Sequence, residues 1–206
     1  MILQPHTRHE VRALTRLAAP ILLTNVAWML VGVVDVVMLG RWSSEAVAAA
    51  LLAGVWIHLT QVAGMGLVMG IDPLVTQAWG AGDREAMGRA LQRGILVALL
   101  ASIPVVGLRL LTSEMLAGTR AFAEWVAGAG AIGKTAGLEL EDMAALDGSA
   151  ERYALVQSFA TPFFLVYIAF RQYLQGRGIV RPALVVAVFA NVVNVIGNWF
   201  LIYRLE

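Results

Sequence analysis

The chain has 206 residues, of which 59% are hydrophobic and 14% are charged, and its mean hydropathy is +0.75. Soluble globular domains contain about 45–50% apolar and about 25% charged residues, so this composition excludes a soluble domain and predicts an integral membrane protein. The formal net charge is only +1, and the chain has no long basic run, which argues against a nucleic-acid partner. Cysteine is absent, which excludes disulfides, thiolate metal sites and thiol catalysis.

Apolar stretches between charged residues predict an all-α fold with five transmembrane helices. The first stretch is long enough to cross a bilayer core of about 30 Å at a rise of about 1.5 Å per residue, and we interpret it as a retained helix rather than a signal peptide. The third stretch is short, so we expect Arg93 and Arg109 at its two ends to snorkel to the two membrane interfaces. The predicted helices are residues 17–40, 46–71, 93–109, 153–170 and 182–203.

The basic residues of the connections predict the orientation. The N-terminus and the second and fourth connections carry nine arginines, whereas the connections on the other side carry six basic residues. Because short cytoplasmic segments are enriched in Lys and Arg, we expect a cytoplasmic N-terminus and a multi-pass protein of the cell inner (plasma) membrane.

The third connection, residues 110–152, is atypical for a membrane protein of this size. It is long and rich in acidic residues, and the orientation places it outside the cytoplasm, with a short interfacial helix expected around Trp125. It also contains GAGAIGKT, from Gly128 to Thr135, which fits the spacing of a phosphate-binding loop. That motif needs a preceding strand and an α/β sheet, and neither is predicted here, so we favour a chance glycine-rich match over nucleotide binding.

The first predicted helix contains one charged residue, Asp35. A carboxylate at the bilayer centre costs about 2.5–3.5 kcal/mol on insertion scales, and Asp35 lies about 7–8 Å inside one end of its helix. The default interpretation is a carboxylate that faces a water-accessible cavity and binds a proton or a cation.

Three amides form a stripe on the fifth predicted helix. Asn191, Asn194 and Asn198 are separated by three and four residues, which places them on one helical face. Hydrogen bonding between helices and a polar wall of a substrate or ion cavity both explain such a stripe. Asn198 and Asp35 each lie about 9 Å from the outer boundary of their helices, so the two sets share one membrane layer if the helices are neighbours.

The remaining intramembrane signals are weaker. Gly66 and Gly70 form a small-xxx-small pair that predicts a close helix contact. His58 and Gln61 lie near the middle of the second helix, where packing is a commoner role than proton relay. The sequence contains no metal-ligand spacing, nucleophile elbow or HExxH motif, so neither an enzyme nor a cofactor is predicted.

Several stretches resemble multidrug and toxic compound extrusion (MATE) transporters. LAAPILLTNVAWMLVGVVDVVMLGRW is similar to the family's first helix, and GMGLVMGIDPLVTQAWGAGDREAMGRALQRG to its second helix and the following loop. YIAFRQYLQGRGIVRPALVVAVFANVVNVIGNWFLIY resembles its fourth helix, short loop and fifth helix. The matches cover most of residues 12–107 and 153–204, but the text between Arg109 and Arg152 does not look like the family.

This resemblance implies a fold of two six-helix lobes around a central cavity, of which the chain represents most of one lobe. It implies export of organic cations or drugs in exchange for H⁺ or Na⁺. It also implies that Asp35, Asn191, Asn194 and Asn198 form the cation, proton or substrate site, with Na⁺ as the metal ion considered at Asp35. The expected partners are therefore the lipid bilayer, a small organic cation or drug, and a second lobe or partner chain.

Three alternatives remain open at this point. In the first alternative, the chain is a non-transporting fragment or a partner-dependent half-transporter subunit. In the second, the chain is a membrane-embedded enzyme, and this would need another catalytic group near Asp35. In the third, the chain is a nucleotide-binding loop protein that uses Lys134.

Overall fold

The structure is a computed structural model and describes residues 5–128 and 140–204. Within these ranges the chain forms seven helices and no strand. Five segments are long and apolar enough to cross a membrane, which confirms the predicted all-α membrane fold with five transmembrane helices. The helices are α1 (Pro5–Trp42), α2 (Ser44–Met69), α3 (Asp72–Gly80), α4 (Arg84–Leu110), α5 (Thr112–Gly128), α6 (Leu140–Gly176) and α7 (Arg181–Tyr203).

The helices extend beyond the predicted apolar stretches, because a helix continues through charged residues until a cap or a turn ends it. The third predicted segment, residues 93–109, is the C-terminal two thirds of α4. This helix begins at Arg84, where Asp83 Oδ1 accepts a hydrogen bond from the backbone N–H of Ala86 at 2.8 Å. An aspartate in this position satisfies one of the free amides of a helix N-terminus.

The second membrane span, Ser44–Gly80, consists of two helices. The sequence predicts one helix up to Ile71, but α2 ends at Met69 and α3 begins at Asp72, with Pro73 in its first turn. Proline fits the first turn of a helix because the amide it lacks has no partner there. The break turns α3 so that it packs against α4 and α6.

The described helices associate in two groups. Helices α2, α4 and α6 pack together around a small-residue core, and α1 packs mainly against α7 and more lightly against α2. The first group approaches closely at Gly64, where a Cβ atom would lie 3.0 Å from Val105 Cγ2 and 3.3 Å from Leu165 Cδ1. Gly66, which the small-xxx-small pattern indicated, faces open space. The close helix contact is therefore made at Gly64 and not at Gly66.

Residues 110–152 contain helical structure where the sequence suggested a long connection. Helix α5 packs on α6, with Leu116 buried against Ala53 and Ala150. The short helix expected around Trp125 falls within α5. The phosphate-loop-like motif, residues 128–135, lies outside the described residues except for Gly128.

Arg109 does not snorkel to an interface, contrary to the sequence-based expectation. Its side chain is 1% exposed and lies between α2 and α6. Its Nε donates to Thr60 Oγ1 at 3.2 Å, and its Nη1 donates to Thr161 Oγ1 at 2.6 Å and to the carbonyl of Gln157 at 3.2 Å. Its Nη2 donates to the carbonyl of Ile57 at 3.2 Å and to Gln61 Oε1.

The five bonds account for the five N–H groups of a guanidinium, so the inward rotamer is explained by neutral oxygens on both neighbouring helices. A charge becomes tolerable inside a membrane protein when backbone carbonyls and polar side chains surround it. Arg109 therefore fastens α4 to both α2 and α6.

Candidate functional site

The candidate site lies between α1 and α7, the first and last described helices. The two helices run parallel, and their polar residues meet in register along the contact. Asp35 is the charged residue of α1 that faces α7, and Asn191, Asn194 and Asn198 project from α7 toward α1. The sequence predicted a shared layer from depth alone, and the structure brings the two helices together.

Two amides share one oxygen of the carboxylate. Asn194 Nδ2 donates to Asp35 Oδ1 at 2.7 Å, and Asn198 Nδ2 donates to the same oxygen at 2.6 Å. No described residue donates to the other carboxylate oxygen, Oδ2. All three side chains are half-buried. The site therefore holds the carboxylate in place through Oδ1 and leaves Oδ2 as an open acceptor.

Asn194 carries a second feature of the site. Its side-chain oxygen Oδ1 is buried and receives no hydrogen bond from any described residue. A buried polar atom without a partner costs free energy comparable to a lost hydrogen bond, about 1–3 kcal/mol. Asn194 therefore has an acceptor left unfilled by the described residues, in addition to its bond to Asp35.

Asn191 binds backbone rather than the carboxylate. Its Nδ2 donates to the carbonyl of Ala27 on α1 at 2.7 Å and to the carbonyl of Ala187 at 2.8 Å. Ala27 precedes Asp35 by eight residues, which is about 12 Å along the helix. The amide stripe thus divides into two residues at Asp35 and one that joins the two helices farther along.

Contacts between α1 and α6 lie outside the predicted set. Arg171 Nη2 donates to Asn25 Oδ1 at 2.7 Å, and Trp28 Nε1 donates to the Tyr167 hydroxyl at 3.3 Å. Trp28 also packs edge-on against Phe164, with ring centroids 6.0 Å apart. The sequence showed Asn25 as a polar residue within the first helix but gave no indication of its partner on α6.

The chemistry available at the site is limited to one carboxylate and amides. Among the residues that the structure describes, no three His, Cys, Asp or Glu side chains come together as a metal-binding group. His58 is exposed on the bundle surface. Carboxylate and amide oxygens are hard ligands of the kind that hard cations prefer.

Comparison with known proteins identifies the family. The family model MatE matches residues 20–121 and 141–200. The match includes Asp35 and the three asparagines, and it extends farther into the third connection than the sequence resemblance did. The unmatched internal stretch is residues 122–140.

Similar proteins include "Multidrug resistance protein NorM" of Vibrio parahaemolyticus, which is 30% identical over 198 residues, covering 95% of this chain and 38% of the relative. "Multidrug and toxin extrusion protein 2" of Mus musculus is 31% identical over 205 residues, covering 99% of this chain and 32% of the relative. "Probable multidrug resistance protein NorM" of Bradyrhizobium diazoefficiens is 40% identical over 103 residues, covering 50% of this chain and 22% of the relative.

The chain therefore spans between about a third and two fifths of the length of the first two of these relatives. The family model covers well over half of this chain and follows its helices from α1 to α7. The chain belongs to the MatE family.

Proposed function

We propose that the chain is the N-terminal part of a secondary antiporter that exports organic cations or drugs in exchange for H⁺ or Na⁺. Support comes from the MatE match and from relatives named for multidrug resistance and toxin extrusion. The observation that carries the proposal is the membrane-embedded carboxylate of Asp35, which binds two amides of α7 and keeps one oxygen open.

The site would respond to its ion through Asn194. Protonation of Asp35 at Oδ2 creates an O–H donor, and a bound Na⁺ places a positive charge beside the same oxygen. Either change alters the charge of the carboxylate that accepts from Asn194 and Asn198. The loaded and unloaded carboxylates therefore differ in how strongly they hold α7, and a ligand shifts a conformational equilibrium only through such a difference.

A second lobe or partner chain would complete the transport pathway. Much of the surface of α1 and α7 is apolar and exposed, including Met29 at 71% and Phe189 at 67%. Five membrane-spanning segments do not enclose a cavity by themselves, and the relatives are more than twice as long as this chain. Alternating access between two lobes is the mechanism that fits. The orientation we propose has the N-terminus in the cytoplasm and the protein in the inner membrane.

A chimera tests the proposal. The chain replaces the 198 matched residues of the Vibrio parahaemolyticus protein, and the chimera is expressed in bacteria that lack their own efflux pumps. We expect the chimera to lower the accumulation of ethidium, a fluorescent organic cation. We also expect that collapsing the ion gradients abolishes this effect.

The matched control is the same chimera with Asp35→Asn, which we expect to insert in the membrane and fail to export. If the unmodified chimera inserts and ethidium accumulates as in cells with the empty vector, the antiporter proposal is wrong. A non-transporting fragment is then the better account.

A further inference from the structure

The turn between α6 and α7, residues 177–180, lies at a membrane boundary. One membrane-spanning segment ends at Gly176 and the next begins at Arg181. The turn is tightly held: Gly178 has φ of +73°, and the amide of Ile179 donates to the carbonyl of Leu174 at 2.9 Å. A positive φ favours glycine, so the path of the chain between the two helices is set by Gly178.

Arg177 is held in a fixed position at this boundary. Its guanidinium carbon lies 5.3 Å from the ring centroid of Trp79 and 5.3 Å from that of Tyr173. Its Nη1 also donates to the Tyr173 hydroxyl at 3.4 Å. Cation–π contacts of this kind hold the guanidinium without neutralising it. The Nε of Arg177 is buried and has no acceptor among the described residues.

The surrounding charge is positive and uncompensated. The sequence from Arg152 to Arg204 contains no Asp or Glu, and neither Arg177 nor Arg181 has an ion pair within the described part of the chain. Helix α7 begins at Arg181, and Val180 before it provides no side-chain cap. Pro182 in the first turn has no N–H, and the remaining free amides of the helix N-terminus add a partial positive charge at the same end.

Nearby acidic residues on the α3–α4 turn are already engaged. Asp83 accepts the capping hydrogen bond of α4, and Glu85 forms an ion pair with Arg89 one turn along the helix. In the described part of the chain neither carboxylate forms an ion pair with Arg177 or Arg181.

We propose that Arg177, Arg181 and the N-terminus of α7 bind the phosphate group of an anionic membrane lipid. Guanidinium groups match phosphate geometry with paired N–H donors, and helix N-termini bind anions. The position between two membrane-spanning segments selects a lipid headgroup over a soluble phosphate. Trp79, which is 49% exposed beside Arg177, supplies an aromatic side chain of the type that occupies the headgroup layer. The inference does not depend on the transport proposal.

Native mass spectrometry of the purified 206-residue chain tests the lipid site. The probes are phosphatidylglycerol and phosphatidylcholine with identical acyl chains, added in equal amounts in the same detergent. We expect the unmodified chain to retain phosphatidylglycerol preferentially. In Arg177→Gln and in Arg181→Gln we expect this preference to fall about fivefold.

Arg204→Gln is the matched control, because Arg204 stacks on Trp199 at 5.5 Å at the opposite end of α7. We expect this variant to keep the preference. Arg181 is exposed, so Arg181→Gln carries the test if Arg177→Gln fails to fold, as judged by its melting temperature in phosphatidylcholine nanodiscs.

Equal retention of the two lipids by the unmodified chain would overturn the proposal. So would an equal loss in the Arg204 control, which would indicate a general charge effect. Inorganic phosphate that displaces the lipid at equimolar concentration would assign the site to a soluble anion instead.

Discussion

Asn194 Nδ2 lies 2.7 Å from Asp35 Oδ1 and joins α7 to α1 across 159 residues of sequence. Asn198 reinforces the same contact at 2.6 Å. Helix pairs in membranes associate mainly by packing, with interhelical hydrogen bonds adding about 0.6 kcal/mol on average. Here two such bonds converge on one carboxylate oxygen, so the α1–α7 contact depends on Asp35.

The first prediction separates the two roles within the amide stripe. Asn194→Leu removes a donor to Asp35 together with the buried amide oxygen of Asn194, so we expect weaker stabilisation of the purified chain by Na⁺. Asn191→Leu removes the bonds to the Ala27 and Ala187 carbonyls but none to Asp35, so we expect a loss of about 0.6–1.7 kcal/mol of stability with the ion response unchanged. Thermal unfolding in nanodiscs measures both the stability and the ion response. An identical ion response in the two variants would show that Asn194 only packs α7 against α1.

The second prediction concerns Arg109. Arg109→Lys keeps the charge but offers three N–H donors in place of five, so at least two of the five hydrogen bonds are lost. We expect a loss of about 1–3 kcal/mol. Arg93→Lys on the same helix is the control, since Arg93 is exposed, and we expect little change. Equal melting temperatures for the two variants would show that Arg109 does not fasten the three helices.

The third prediction concerns the contact between α3 and α6. A Cβ atom at Gly176 would lie 2.9 Å from Val75 Cγ1 and 3.1 Å from Val75 Cβ, and Val75 is fully buried. Gly176→Ala should therefore cost about 1–3 kcal/mol by forcing α3 away from α6. Gly107→Ala is the matched control: Gly107 lies within α4 and faces open space, so the change should be neutral or stabilising by up to about 1 kcal/mol. A neutral Gly176→Ala would contradict the packing of α3 described here.

The membrane spans and the common depth of Asp35 and Asn198 could be predicted from the sequence. Hydropathy marks where a helix enters and leaves the membrane, and a constant rise per residue converts position into depth. Depth does not determine rotation or neighbours. The division of the stripe, with Asn194 at the carboxylate and Asn191 on the Ala27 carbonyl, depends on how α7 is rotated against α1.

Arg109 shows why the interior contacts were missed. Charge counting places an arginine at a helix end, and snorkelling is the usual outcome for such a residue. Its burial depends on Thr60 and Thr161, two hydroxyls that packing brings together from separate helices. The Arg171–Asn25 bond is of the same kind, because neither helix carries a local signal for the other.

The most direct test of the central claim is the ion response of Asp35→Asn in the purified chain. Asparagine keeps an oxygen that accepts from Asn194 and Asn198, but it does not take up a proton and has no negative charge for Na⁺. In nanodiscs we expect the unmodified chain to melt at a higher temperature in sodium than in choline chloride. A ligand at one hundred times its Kd adds about 2.7 kcal/mol.

Asp83→Asn is the control, since asparagine also caps a helix, and it should keep the full response. The account predicts that Asp35→Asn loses the response while its basal melting temperature stays close to that of the unmodified chain. An Asp35→Asn chain that responds to sodium as the unmodified chain does would contradict it.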